Sequence, residues 1–153
     1  MSKMIFVNLP VTDLAATTRF YEAIGCTKNE QFSDDKAVSM MWSDTIVFML
    51  LKQEYFATFT PKQVADARRS SEALVALSLE SREAVDAFAG VAARAGGKAD
   101  IRPPQDLGFM FSRSVEDPDG HVFEPFWMDP SAIEGAAGNA GIGGSDGIGG
   151  SDG

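Results

Sequence analysis

The chain is poor in the two residue types that build most metal centres: its 153 residues include one cysteine, Cys26, and one histidine, His121. A lone cysteine excludes an internal disulfide and any multi-cysteine zinc site, and a lone histidine excludes the two- and three-histidine metal triads. Basic residues are also scarce: 13 Lys and Arg face 22 Asp and Glu, a net charge of −9. So negative a surface repels nucleic-acid phosphates and anionic lipid, which argues against nucleic acid or membrane as a partner. Long hydrophobic runs are missing. The longest, Ile46 to Leu51, has six residues, where a membrane span needs about twenty. The opening stretch from Met1 to Val7 is interrupted by Asn8 and Pro10 and lacks the pattern of a signal peptide. A cytoplasmic setting is therefore expected.

What remains is an ordinary globular composition, 44% hydrophobic and 23% charged. Residues 131–153 differ from the rest: they are rich in Gly and Ala and end in two copies of Ile-Gly-Gly-Ser-Asp-Gly. Such a tract loses much backbone entropy on ordering and has few side chains to bury, so a flexible tail is expected there.

Residues 1–130 contain an internal repeat. A shift of 68 positions places Val7 on Val75, Leu9 on Leu77, Val11 on Leu79, Ala16 on Ala84 and Phe20 on Phe88. Each copy starts with an alternating strand, Ile5–Val11 and Leu74–Leu79, followed by a capping residue, Asp13 or Ser81, and an amphipathic helix that ends at Gly25 or Gly96. Three strands are predicted after each helix: Thr27–Phe32, Ala37–Trp42 and Thr45–Leu51, then Lys98–Arg102, Phe109–Val115 and His121–Met128. Asp117-Pro118-Asp119-Gly120 supplies a hairpin turn, and Thr60-Pro61-Lys62-Gln63 has the spacing of a short linker helix. The expected architecture is α+β, with two tandem βαβββ modules at about 4–52 and 72–128, joined by a linker at 53–71 into one domain over 1–130.

This duplication, with Leu9-Pro-Val-Thr-Asp-Leu14, Phe20-Tyr21 and Asp117-Pro-Asp-Gly-His-Val-Phe-Glu124, resembles the vicinal oxygen chelate superfamily, which includes glyoxalase I, extradiol dioxygenases and bleomycin-resistance proteins. The resemblance implies that the sheets form a cup, which metal-dependent members line with four ligands, and it implies a two-fold homodimer. Carried onto this chain, the ligand positions fall at Phe6, Phe48, Leu74 and Glu124. Three of the four offer no lone pair, and a one-residue slip adds only the weak thioether of Met49. The metal site is thus expected to be degenerate, with no cofactor.

Glu124 lies in an otherwise apolar strand, where a carboxylate needs a cation or donor to offset the loss of water. Two readings of Glu124 stand side by side: a ligand anchor or general base that meets no cation of the chain, or a structural partner of Arg113 on the neighbouring strand. The expected ligand-binding set is Phe6, Phe48, Leu74, Phe111, Arg113, Glu124 and Phe126, with Glu124 as the candidate catalytic group. Such a cup should prefer flat or aromatic compounds carrying a positive charge. His121 reads as a solvated turn residue, Cys26 as buried and inert, and Tyr21 as packing. Tyr55, Phe56 and Phe59 are aromatics in the connection between the modules that suit either a lid or a cover for the core edge. Three functions compete: a metal-free small-molecule binder; a glyoxalase I-like (lactoylglutathione lyase) or dioxygenase-like enzyme, with metal-free proton transfer by Glu124 as a variant; and a purely structural or regulatory role, for which the sequence shows no particular signal.

Overall fold

The structure, a computed structural model, describes residues 2–132. Most of the expected glycine-rich tail, residues 133–153, lies outside the described residues. The first module comprises β1 (Ile5–Val11), α1 (Leu14–Ala23), β2 (Thr27–Asn29), β3 (Ala37–Met41) and β4 (Ile46–Lys52). These strands form a four-stranded sheet in the order β1-β4-β3-β2, with β1 parallel to β4 and the rest antiparallel. The second comprises β5 (Leu74–Ser78), α3 (Arg82–Arg94), β6 (Lys98–Ala99), β7 (Gln105–Asp106), β8 (Met110–Ser112), β9 (Val115–Glu116) and β10 (Val122–Met128). Its centre is β10, flanked by parallel β5 on one edge and by antiparallel β8 and β9 on the other. Both sheets are curled and form the mixed α+β fold expected of a glyoxalase/bleomycin-resistance-like chain.

Both helices begin where their caps require. The Asp13 carboxylate accepts the Ala16 N–H at 3.0 Å, and the Ser81 hydroxyl accepts that of Ala84 at 3.0 Å. At 13 residues, α3 exceeds α1, at 10, by about one turn, which ends the 68-residue register.

Several elements differ from expectation. The strand foreseen over Thr27–Phe32 ends at Asn29 and gives way to a 3-10 turn at Glu30–Phe32. The strand foreseen over Lys98–Arg102 is reduced to Lys98–Ala99, and the short β7 was not foreseen. The single strand foreseen over 109–115 is split into β8 and β9, because Pro125 opposite Arg113 has no N–H to return. Arg113 N–H donates to the Pro125 carbonyl at 3.1 Å, and the ladder breaks there. The linker helix foreseen at Thr60 is replaced by a turn, in which the Thr60 hydroxyl accepts the Lys62 N–H at 3.1 Å. The helical turn comes earlier, as α2 (Gln53–Phe56), directly after β4.

One core joins the modules. Tyr21, Phe48 and Phe123 meet at ring distances of 5.3–5.9 Å between the helices and the sheets, with Phe20, Val85, Ala89 and Ala92 buried around them. Among the described residues no helix is long and apolar enough to cross a membrane.

Candidate functional site

Strand alternation sorts the candidate residues between two faces of each sheet. In the first module Val7, Leu9, Phe48 and Leu50 point into the shared core. Phe6 and Asn8 therefore face the other way, the helix-free side, together with their β4 partners Val47 and Met49. In the second module Phe123 belongs to the core. Glu124 and Phe126 take the helix-free side, as do Ala76, paired with Glu124, and Leu74, paired with Val122. The helix-free side thus holds Phe6, Leu74, Glu124 and Phe126, and it leaves Phe6 53% and Leu74 58% exposed, unusual for apolar residues within strands.

Three residues expected there lie elsewhere. Phe48 is fully buried in the core. The pairing of Asn8 with Met49, matched to that of Ala76 with Glu124, makes Met49 the counterpart of Glu124. Phe111 is paired with Trp127, and both rings lie under the Arg82 guanidinium of α3, at 5.3 and 5.2 Å, on the helix side. Arg113 stands opposite Pro125, also on the helix side, and does not pair with Glu124. It donates instead to Asp86 at 2.9 Å and, through two parallel bonds of 3.0 and 2.8 Å, to Asp100.

The cation that meets Glu124 is Arg102. Its Nη2 donates to Glu124 Oε2 at 3.1 Å. The loop that carries Arg102 is fixed from three directions. Asp100, in a left-handed conformation at φ 56°, is gripped by Arg113. Its N–H donates to the Ser114 carbonyl at 2.6 Å, and the Arg102 N–H donates to the Ser114 hydroxyl at 3.1 Å. The Arg113 guanidinium holds the Asp100 carboxyl below the usual carboxylate range.

These residues do not fit a divalent cation. Phe6 and Leu74 offer no donor, Met49 offers only a thioether, and the remaining carboxylate is engaged by a guanidinium. Among the described residues no group of three or more His, Cys, Asp or Glu is arranged to hold a metal.

A second polar centre, which sequence reasoning missed, lies between the modules. The Tyr21 hydroxyl donates to Asp117 Oδ2 at 2.7 Å, and Asp117 Oδ1 accepts the N–H groups of Asp119 and His121, each at 2.9 Å. Asp119 accepts from the Thr12 N–H at 3.0 Å, the Thr12 hydroxyl at 2.8 Å and the Thr17 hydroxyl at 3.3 Å. Burial pushes the Tyr21 phenol well above its usual value, and the neighbouring Asp117 pushes it the same way; burial likewise raises Asp117. The signal was the pairing of a Phe-Tyr helix motif with a distant Asp-Pro-Asp-Gly turn. The structure makes it a clamp between the modules. His121 is not solvated as foreseen: its Nε2 lies 2.8 Å from the Pro10 carbonyl. Burial pushes the Cys26 thiol up to about 12, which leaves it inert as a nucleophile.

A cavity of about 300 Å³ lies beside these residues, between the ends of β1 and β5 and beneath the linker. Val7, Leu9, Val75 and Phe123 form its floor, and Phe56 closes part of the roof. Tyr55 and Phe59 instead meet edge to face, with ring centroids 5.0 Å apart. The roof is held by the Arg68 guanidinium, which donates to the Pro118 carbonyl at 3.1 Å. It is also held by close approach to Gly120, where a Cβ would come within 2.8 Å of the Ala67 backbone. Glu124, Arg102 and Phe126 take no part in its walls.

Comparison with known proteins agrees with this geometry. A hypothetical protein from S. aureus superposes with a TM-score of 0.70 at 24% identity, covering 83% of this chain and 95% of its own. A glyoxalase/bleomycin resistance protein/dioxygenase family enzyme from Burkholderia phytofirmans PsJN gives 0.68 at 19%, covering 83% and 99%. The fosfomycin resistance protein FosX from Mesorhizobium loti gives 0.59 at 18%, covering 88% and 96%. At these identities the likeness is one of fold. A search among curated proteins finds no significant match. The sequence profile of the Glyoxalase/Bleomycin resistance protein/Dioxygenase superfamily matches residues 3–124, and with the paired βαβββ modules already in place the chain belongs to that superfamily.

Proposed function

We propose that this protein is a metal-independent small-molecule binder of the superfamily, in which the helix-free sheet faces take a flat, largely apolar ligand. The observation that carries this reading is the set of side chains at the four positions that the resemblance gives to metal ligands. Phe6, Met49 and Leu74 suit aromatic or aliphatic contact, and Phe126 extends the apolar surface beside Glu124. A lactoylglutathione lyase-like or dioxygenase-like role needs several hard donors at these positions, and Glu124, already paired to Arg102, is the single one. The positive charge anticipated on the ligand rested on an uncompensated Glu124; with Arg102 paired to it, that basis is removed. The half-exposed Phe6 and Leu74, on the edge strands β1 and β5, support a two-fold homodimer in which a second copy completes the cup.

The test is a thermal-shift screen of neutral and charged aromatic compounds in buffer containing EDTA, repeated with zinc, nickel, cobalt or manganese. Stabilisation that is equal with and without metal, and that is reduced in a Leu74→Asp variant, is the expected result. Stabilisation that appears only with metal, or metal-stimulated isomerisation of the methylglyoxal–glutathione adduct, would overturn the reading. Light scattering at micromolar concentration checks the dimer.

A further inference from the structure

We propose that the Arg102 guanidinium takes the place of a metal ion on this face and binds the anionic oxygens of a ligand that carries a carboxylate or similar group on an aromatic frame. The inference rests on the small-molecule reading above and deepens it by assigning the charge of the ligand and the residue that recognises it.

Four observations carry it. First, the only carboxylate at the four positions is already met by a cation of the chain itself, at 3.1 Å. The face therefore presents a neutral pair rather than a negative charge. Second, the two partners are not equally accessible: the Arg102 side chain is 51% exposed, that of Glu124 only 19%. An incoming ligand meets the guanidinium first. Third, the pair is joined through a single N–H of Nη2, and among the described residues the other guanidinium N–H groups have no acceptor. A planar fork with open donors matches a carboxylate bidentately, which an ammonium would not do. Fourth, the backbone at Arg102 is fixed before any ligand arrives, through Ser114, through the left-handed Asp100 and through the two parallel hydrogen bonds of Arg113 to that residue. A donor held in place loses less freedom on binding. Arg113, on the opposite face of the sheet, is thus a positioning residue for Arg102.

The experiment measures the affinity of the full chain for benzoate, its neutral isostere benzamide and the cation benzylamine, by calorimetry or ligand-detected NMR. Benzoate is expected to bind about ten-fold more tightly than the other two. Arg102→Met should remove that preference and leave benzamide unchanged, while Arg102→Lys, which keeps the charge but loses the fork, should retain part of it. Glu124→Gln should strengthen benzoate binding about three-fold, because it removes a like charge beside the ligand. Arg102→Met leaves the 19%-exposed Glu124 carboxylate without its cation and should lower the melting temperature modestly, whereas Arg102→Lys keeps a cation there. Affinities are therefore compared at a temperature where every variant is folded. Equal affinity for benzoate and benzamide, or tightest binding of benzylamine with a further gain in Arg102→Met, would overturn the inference while the small-molecule reading stands. Micromolar zinc binding that appears in Arg102→Met would also overturn it, since Glu124 would then have metal-binding partners. Failure of all three probes to bind would contradict the inference and the small-molecule reading together.

Discussion

Shortening Phe48 to alanine empties the centre of the seam between the two modules. The ring is fully buried and lies 5.9 Å from Tyr21 and 5.3 Å from Phe123, one partner from each module. A fully buried Phe→Ala change costs about 3–5 kcal/mol, through lost transfer energy and the cavity left behind. This site belongs toward the upper end, because two aromatic contacts disappear and the surrounding rings come from different elements that cannot all collapse inward. Against a urea dependence of roughly 2 kcal/mol per molar for a domain of this size, the unfolding midpoint should fall by about 2 M. Phe6→Ala, at a half-exposed ring on the other face, should cost about 1 kcal/mol or less. The folded fraction of Phe48→Ala should bind aromatic probes with the affinity of the parent, because the ring does not reach the helix-free face. A cost of about 1 kcal/mol or less for Phe48→Ala, together with weakened ligand binding, would refute the face assignment and restore Phe48 to the ligand site.

Three other outcomes are expected. Tyr21→Phe leaves Asp117 Oδ2 without its 2.7 Å donor and should cost about 1–2 kcal/mol. Because the folded-state pKa of Asp117 is raised and losing the donor raises it further, the deficit should be larger at pH 7 than at pH 4 in paired urea titrations. Gly97→Ala drives a Cβ into the Glu116 carbonyl and to 2.7 Å from the Phe20 ring, so a fall in melting temperature of at least about 5 °C is expected by calorimetry. The two hydrogen bonds from Arg82, aided by the Gly108 N–H, hold Asp106 down to about 2. Their contribution to stability is complete above about pH 4 and is lost as the pH falls towards 2, so an Arg82→Met variant should show a weaker acid dependence in that window.

The fold was legible because its signals are local. Asp13 and Ser81 cap their helices, and the Asp117–Gly120 turn closes through a 3.0 Å bond from the Gly120 N–H to the Asp117 carbonyl. The site was less legible, for physical reasons. The stretch Ile46–Leu51 is apolar throughout and buried or half-buried on both faces, so no polar alternation reveals which side Phe48 takes. The turn before β4 spans residues 42–45 and that before β10 spans residues 117–121, so a position carried between the two strands slips by one residue, which exchanges Phe48 for Met49. Phe111 was misplaced because nothing in the sequence fixes the register of β8 against β10: Phe111 pairs with Trp127 rather than Phe126, and so takes the helix side. Arg102 lies in an irregular loop, 22 positions from Glu124, and the two are brought together by the hydrogen bonds of that loop to Ser114 and the grip of Arg113 on Asp100. No sequence period encodes such a contact.

Ligand binding on the helix-free face without metal is read out residue by residue in amide chemical-shift mapping. The isotope-labelled full chain is titrated with benzoate, and separately with benzyl alcohol, in EDTA and then with zinc. The shifts should gather on Ile5–Val7, Ala76, Ser112–Ser114 and Glu124, and zinc should leave them unchanged. Shifts that appear only with zinc, or that gather instead on Phe56, Lys62 and Ser70 around the cavity beneath the linker, would contradict it.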